Sequence, residues 1–281
     1  FNGFNILNSN NTIKGLVINR FGWAGISIWG ANANNNTIAG NYIGTNPAGT
    51  GKRANTAGIV IAAGAHDNTI GGYTAAKRNL ISGNTTNGIY LGMNVLGTDY
   101  IAMTNTVSGN YIGMDVSGST RLSNSWDGVY IGSGSYNNLI EDNLISGNDL
   151  DGVYIHGALR NTVAGNYIGI DVNGAIGPNN TLNGVRLDGG AQFNTIGGDS
   201  ENERNVISGH FWSAAGIKIA GSGTMSNTVI GNYIGLDPSG TISASNSCGI
   251  VITNSAQLNA IGGDTPEERN IISGNDYYGV Y

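Results

Sequence analysis

The sequence has a single cysteine, Cys248, so no internal disulfide forms. It has 4 prolines in 281 residues, which excludes a collagen-like or proline-rich chain. Charged residues make up 11%, well below the roughly 25% of an ordinary soluble domain. No apolar run approaches the roughly 18 residues of a membrane-spanning helix. The formal net charge is −6 without a basic block, which argues against a nucleic-acid partner held through phosphates. The histidines, His66, His156 and His210, are scattered, so a His-based metal site is not expected. No secretory leader opens the chain. Phe1–Ile6 already has the repeat character of the rest of the chain, so the sequence reads as a piece of a longer protein with both caps missing.

What is present is glycine, at 47 residues, and a 40% hydrophobic fraction. That fraction supports a packed core and excludes disorder. A chain low in cysteine and lysine and rich in Asn, Gly, Thr and Ser suits an extracellular or cell-surface location of bacterial type.

The signal Gly-[Ile/Val]-x-[Ile/Leu] recurs along the whole chain, for example at Gly25–Ile28, Gly88–Leu91, Gly152–Ile155 and Gly216–Ile219. From Gly25 to Gly88, Gly152, Gly216 and Gly279 the steps are 63, 64, 64 and 63 residues, so two unit types alternate. One type reads Asn-Thr-Val-x-Gly-Asn-Tyr-Ile-Gly-x-Asp-x-x-Gly, as at Asn105, Asn161 and Asn227. The other reads Asn-x-Ile-Gly-Gly, an insert, then Arg-Asn-x-Ile-Ser-Gly-Asn, as at Asn68 and Asn194; the copy at Asn138 lacks the insert.

Each unit holds three short apolar patches with period-2 alternation: Gly152–Ile155, Asn161–Ala164 and Tyr167–Ile170 in one unit. Such strands cannot bury their faces alone, and stacking units makes three parallel sheets around one core. The predicted fold is all-β: a right-handed parallel β-helix of about ten coils, a single domain over 1–281. Helical solenoids fail because no ten-residue run is free of turn residues. Propeller blades would need roughly 40 to 50 residues each.

An Asn recurs between the second and third strands, read as Asn41, Asn110, Asn166 and Asn232 and as Asn84, Asn148 and Asn275, with His210 in one copy. Stacked amides about 4.8 Å apart bond along a column. On these residues the chain resembles the pectate-lyase-like superfamily of right-handed β-helices over essentially its whole length. The resemblance implies an internal Asn ladder at that turn. It also implies that any carbohydrate lies on the outer face of the first sheet, walled by third-turn loops.

The outward residues of that face include Ser27, Val60, Tyr90, Tyr130, Tyr154, Arg186, Lys218, Val251 and Tyr281. Two residues further on stand Trp29, His156 and Asp188, while Asp127 and Asp151 precede their strands. Candidate ligand-binding residues are Tyr90, Tyr130, Tyr154, Arg186 and Asp151; aromatic rings stack on sugar faces and Arg pairs with carboxylates. Candidate catalytic residues are His156, Asp188, Arg186 and Lys218, with His156 and Asp188 as an acid/base pair. Against this, outward tyrosines also stabilise a parallel sheet without any ligand.

Asp115, Asp171 and Asp237 start Asp-x-x-Gly turns, and calcium there would need more converging oxygens. Arg78, Arg204 and Arg269, beside Glu203 and Glu268, are expected to order the insert loops through ion pairs. No departure from the repeat marks a catalytic centre. The leading expectation is a non-enzymatic structural or adhesive module (stalk, sheath or filament segment) whose partners are further coils or chains at both open ends. The alternative is a polysaccharide-binding or polysaccharide-degrading β-helix, a lyase or a glycosidase. No cofactor is expected, calcium being the one ion that the resemblance implies for a lyase.

Overall fold

A computed structural model describes residues 1–281. Three parallel sheets run the length of the molecule, one of ten strands and two of nine. The chain visits them in rotation, so each strand pairs with its counterpart one coil earlier and one coil later. One coil runs through Val153–His156 in the first sheet, Thr162–Ala164 in the second and Tyr167–Ile168 in the third. The fold is a parallel β-helix. No helix is long and apolar enough to cross a membrane.

Alternation decides what faces inward. Val153 and Ile155 register with Val129 and Ile131 on one side and Val185 and Leu187 on the other, and all are fully buried. They belong to a continuous core of 36 buried side chains, most of them Ile and Val. The glycine that opens each first-sheet strand has a steric cause. A Cβ at Gly128 would lie 2.6 Å from both the Gly152 carbonyl oxygen and Ile145 Cγ2.

Asparagines hold the three corners, in three ladders rather than one. The first joins Asn36, Asn68, Asn105, Asn138, Asn161 and onward before the second strand. The second, between the second and third strands, runs Asn41, Asn79, Asn110, Asn143, Asn166, Asn205, Asn232. The third follows the third strand and runs Asn55, Asn84, Asn124, Asn148, Asn180, then His210, Asn246 and Asn275. The residues expected in one column therefore divide. Asn41, Asn110, Asn166 and Asn232 belong to the second ladder, and Asn84, Asn148 and Asn275 to the third. Gly-Asn occurs at both corners, with the glycine in the left-handed region before the inward amide: Gly165 has φ +68 and Gly83 has φ +79.

The Asp-x-x-Gly segments are tight hairpin turns, each Asp hydrogen-bonded within its own turn. Asp115 Oδ1 accepts the N–H groups of Ser117 and Thr120 at 3.1 and 3.2 Å, and Asp171 Oδ1 those of Asn173 and Ala175 at 2.8 Å. Successive turns also bond to each other, Val116 N–H to the Gly49 carbonyl and Val172 N–H to that of Gly118, both at 3.0 Å. These turns recur in every second coil, which accounts for the 63- to 64-residue period.

The expected ion pairs of the insert loops do not form. Glu203 accepts from Asp199 N–H and Ser200 Oγ, and Glu268 from the Asp264 and Thr265 N–H groups, so both carboxylates tie up their own loops. Arg78 and Arg204 lie instead over the rings of Tyr111 and Tyr233 at 4.1 and 4.4 Å.

Candidate functional site

One coil breaks the repeat beside the first sheet. After Ile89–Leu91 the chain inserts an antiparallel hairpin, Met93–Val95 with Thr98–Tyr100. This hairpin makes the 40-residue step between Gly88 and Gly128. Tyr100 at its end packs on Trp29, with ring centroids 4.9 Å apart. On the other side of the strands, Trp126 and Leu150 stand on successive third-turn loops, joined by the Leu150 N–H to Trp126 carbonyl bond at 3.2 Å. Hairpin and loops wall a cleft of about 540 Å³ lined by Asn87, Tyr90, Met93, Asn94, Trp126, Asp127, Tyr130, Leu150 and Tyr154.

The floor is a tyrosine column. Tyr90, Tyr130 and Tyr154 are register partners. Their rings meet edge to face, with centroids 5.6 and 5.4 Å apart. Burial pushes the Tyr130 hydroxyl up to about 12 and raises Tyr154 as well, so both stay protonated donors. Arg186 and Lys218 continue the same column.

Beyond Tyr154 the next coil closes a polar network. Asp188 Oδ1 accepts from the Tyr154 hydroxyl at 2.8 Å and lies 2.8 Å from His156 Nδ1. Arg186 directs Nε and Nη2 to Asp188 Oδ2 at 2.9 and 2.5 Å while its plane covers the Tyr154 ring at 4.6 Å. Burial works to raise the Asp188 carboxyl, but the His156 and Tyr154 hydrogen bonds and the Arg186 charge hold it below its usual range. The bond to Asp188 raises His156, outweighing burial. Asp188 thus fixes Nδ1 of the imidazole and leaves Nε2 unengaged.

A second carboxyl pair lies at the other end of the same strands. Asp127 N–H donates to Asn87 Oδ1 at 2.7 Å, Asp151 N–H to Asp127 Oδ1 at 3.0 Å, and Asn183 N–H and Nδ2 to Asp151 Oδ1 at 2.8 Å. The four residues form a short column beneath the cleft. Burial and the neighbouring Asp151 push Asp127 up to about 7. Burial also raises Asp151, against the Asn183 bonds and the Arg186 charge. Arg186 Nη1 is 3.7 Å from Asp151 Oδ2, which links the two carboxyl groups of residues 151 and 188 through one guanidinium.

No family model matches the chain, and no curated protein matches it in sequence. The chain is similar to two solved structures. One is the full-length tailspike protein 2 of Escherichia coli O157:H7 bacteriophage CAB120, at 14% identity and TM-score 0.46; the match covers 86% of this chain and 31% of that one. The other is the A-module of the mannuronan C-5 epimerase AlgE4 from Azotobacter vinelandii, at 16% identity and TM-score 0.34, covering 96% and 80%. The chain spans about a third of the tailspike's length.

The expected site residues fall in one connected strip: Tyr90, Tyr130 and Tyr154 on the floor, with His156, Arg186 and Asp188 in the network at its end. Lys218 stands one coil further along and joins no ion pair. Asp151, expected to meet ligand, is buried with Oδ1 bonded to Asn183, and Asp127 is the carboxyl that lines the cleft. Trp126 and Leu150 carry no signal that sets them apart from the repeat, and the 40-residue step is the visible trace of the hairpin in the sequence. No group of three or more His, Cys, Asp or Glu converges as a metal site.

Proposed function

We propose that this chain is a polysaccharide-binding β-helix that holds a glycan along the outer face of its first sheet. The observation that carries this reading is the walled cleft with a tyrosine column as its floor. Sheet stability alone accounts for stacked tyrosines, but not for an added hairpin and an exposed Trp126 that wall them on both sides. A groove with an aromatic floor and a few polar groups suits a sugar polymer, whose ring faces are apolar and whose edges are hydroxyls. The reading includes an extracellular or cell-surface location, where such polymers are met. It is compatible with an elongated adhesive rod, since the binding strip occupies one face of it.

A second reading, that bound glycan is also processed, is favoured by the His156–Asp188 pair. An imidazole oriented at Nδ1 by a carboxylate is equipped to take or give a proton at Nε2. Asp127, held partly protonated near neutral pH, is a candidate proton donor.

The test is a glycan array on the intact chain, run with assays for new reducing ends and for unsaturated uronide products. Specific binding that Tyr130→Ala abolishes supports the cleft reading. Product formation lost in His156→Gln while binding remains supports the processing reading. A blank array with no product would overturn both and leave the structural rod.

A further inference from the structure

The coil at 138–148 is the one without the Gly-Gly insert, and its absence exposes an unusual arginine. Where the coil two further on carries its insert, the arrangement is closed. Arg204 donates Nε to the Gly231 carbonyl at 3.1 Å and Nη1 to the Tyr233 hydroxyl at 3.3 Å while lying over that ring. Arg78 is its counterpart and covers Tyr111 in the same way. Yet its Nε is buried without any partner, and its guanidinium joins none of the five ion pairs. Where an insert would sit, a notch of about 310 Å³ opens beside it, lined by Arg78, Tyr111, Asp142, Leu144, Tyr167 and Val172 among others.

We propose that this notch is a second saccharide-binding site, one that takes the carboxylate of a uronic-acid residue on Arg78. The enclosed Nε is out of a ligand's reach, but Nη1 and Nη2 also find no partner within the protein and are left for an acceptor from outside. A guanidinium already held flat against a tyrosine presents its fork for a bidentate carboxylate. Tyr111, Leu144 and Tyr167 are register partners on three successive coils; Tyr111 and Leu144 are buried, and the half-buried Tyr167 ring is the surface against which a sugar ring can lie. Asp142, exposed on the rim, offers acceptors for hydroxyl groups. The site lies on the outer face of the third sheet, away from the tyrosine cleft, and does not depend on that cleft binding anything.

Inorganic sulfate and phosphate share the oxyanion chemistry, so the test separates them from the sugar. The intact chain is titrated calorimetrically with an oligogalacturonate, with a neutral oligosaccharide of equal length and with sodium sulfate. The expected result is uronate binding that falls at least tenfold in Arg78→Gln and in Tyr167→Ala. Arg204→Gln, whose arginine is satisfied within the protein, should leave it unchanged. Thermal midpoints of the variants check that each folds. Affinity that survives both Arg78→Gln and Tyr167→Ala would overturn the proposal, as would sulfate binding as tightly as uronate. Absence of uronate binding would overturn it too, whatever the first-sheet cleft binds.

Discussion

The backbone N–H of Asp151 donates to Asp127 Oδ1 at 3.0 Å, so two carboxyls on adjacent coils share one buried column. Asparagine occupies both ends of that column, at Asn87 and Asn183. An amide therefore fits the geometry, and the acids are present at a cost.

That cost has a definite pH signature. Asp127 titrates near 7 in the folded chain and near 3.9 unfolded. Its folded value is raised, so folding is favoured at low pH and this contribution is lost as pH climbs from about 4 to about 7. The ceiling is about 4 kcal/mol. Asp127→Asn keeps the acceptor for Asp151 N–H and removes the titration. The variant should unfold at higher urea than the wild type at pH 7, by about 1–3 kcal/mol, and match it at pH 4. Equal stability at pH 7 would show that Asp127 is not held protonated by its surroundings.

The Tyr130 ring sits between Tyr90 and Tyr154 at 5.6 and 5.4 Å, at the centre of the cleft floor. Tyr130→Ala should lower glycan affinity about tenfold or more, and Tyr130→Phe should retain most of it if ring stacking carries binding. Trp126→Ala should weaken binding while leaving the unfolding midpoint nearly unchanged, because Trp126 is 48% exposed. Calorimetric titration with an array-positive oligosaccharide reads all three.

The first-sheet columns were legible in the sequence because each strand opens on a glycine that sterics require. Counting two residues on from Gly128, Gly152 and Gly184 finds Tyr130, Tyr154 and Arg186 without error. The ladders were less legible. Ser82-Gly83-Asn84 and Ala164-Gly165-Asn166 look alike but turn different corners. Asn143 is masked because Asp142, at φ +55, replaces the usual glycine. The hairpin at Met93–Tyr100 escaped because an insertion inside a polar turn disturbs only the spacing of the repeat. The His156–Asp188 contact was readable as a register pair. Its hydrogen bonds to Tyr154 and Arg186 depend on side-chain directions that spacing does not fix.

Asn143 tests the second ladder. Its Nδ2 donates to Asn166 Oδ1 and to the Val107 and Glu141 carbonyls, and its Oδ1 accepts from Asn110 N–H and Nδ2, all between 2.8 and 3.0 Å. Asn143→Ala leaves several buried polar groups unpaired at once. It should cost about 3 kcal/mol or more in chemical denaturation. Asn32→Ala, at an exposed position outside the ladders, should change stability by less than about 0.5 kcal/mol. A comparable loss at both sites would mean that the ladder contributes no more than a surface amide.

His210 occupies a rung of the third ladder and is fully buried. Its N–H and Nδ1 engage Asn246 Oδ1 at 3.1 and 2.9 Å, while Asn180 Nδ2 reaches Nε2 only at 3.4 Å. Burial depresses its pKa to about 4, although the Asn246 bond works the other way. An unfolded histidine titrates near 6.5. Because the folded value is depressed, the neutral ring stabilises the fold above pH 6.5, and that stability drains away as pH falls toward 4, by at most about 3 kcal/mol. His210→Asn restores the amide found at the neighbouring rungs and has no such dependence. Unfolding free energies of wild type and variant should therefore diverge between pH 6.5 and 4, with the variant flatter. If the two curves stay parallel across that window, His210 is not buried as a neutral rung, and the third ladder does not run unbroken from Asn55 to Asn275.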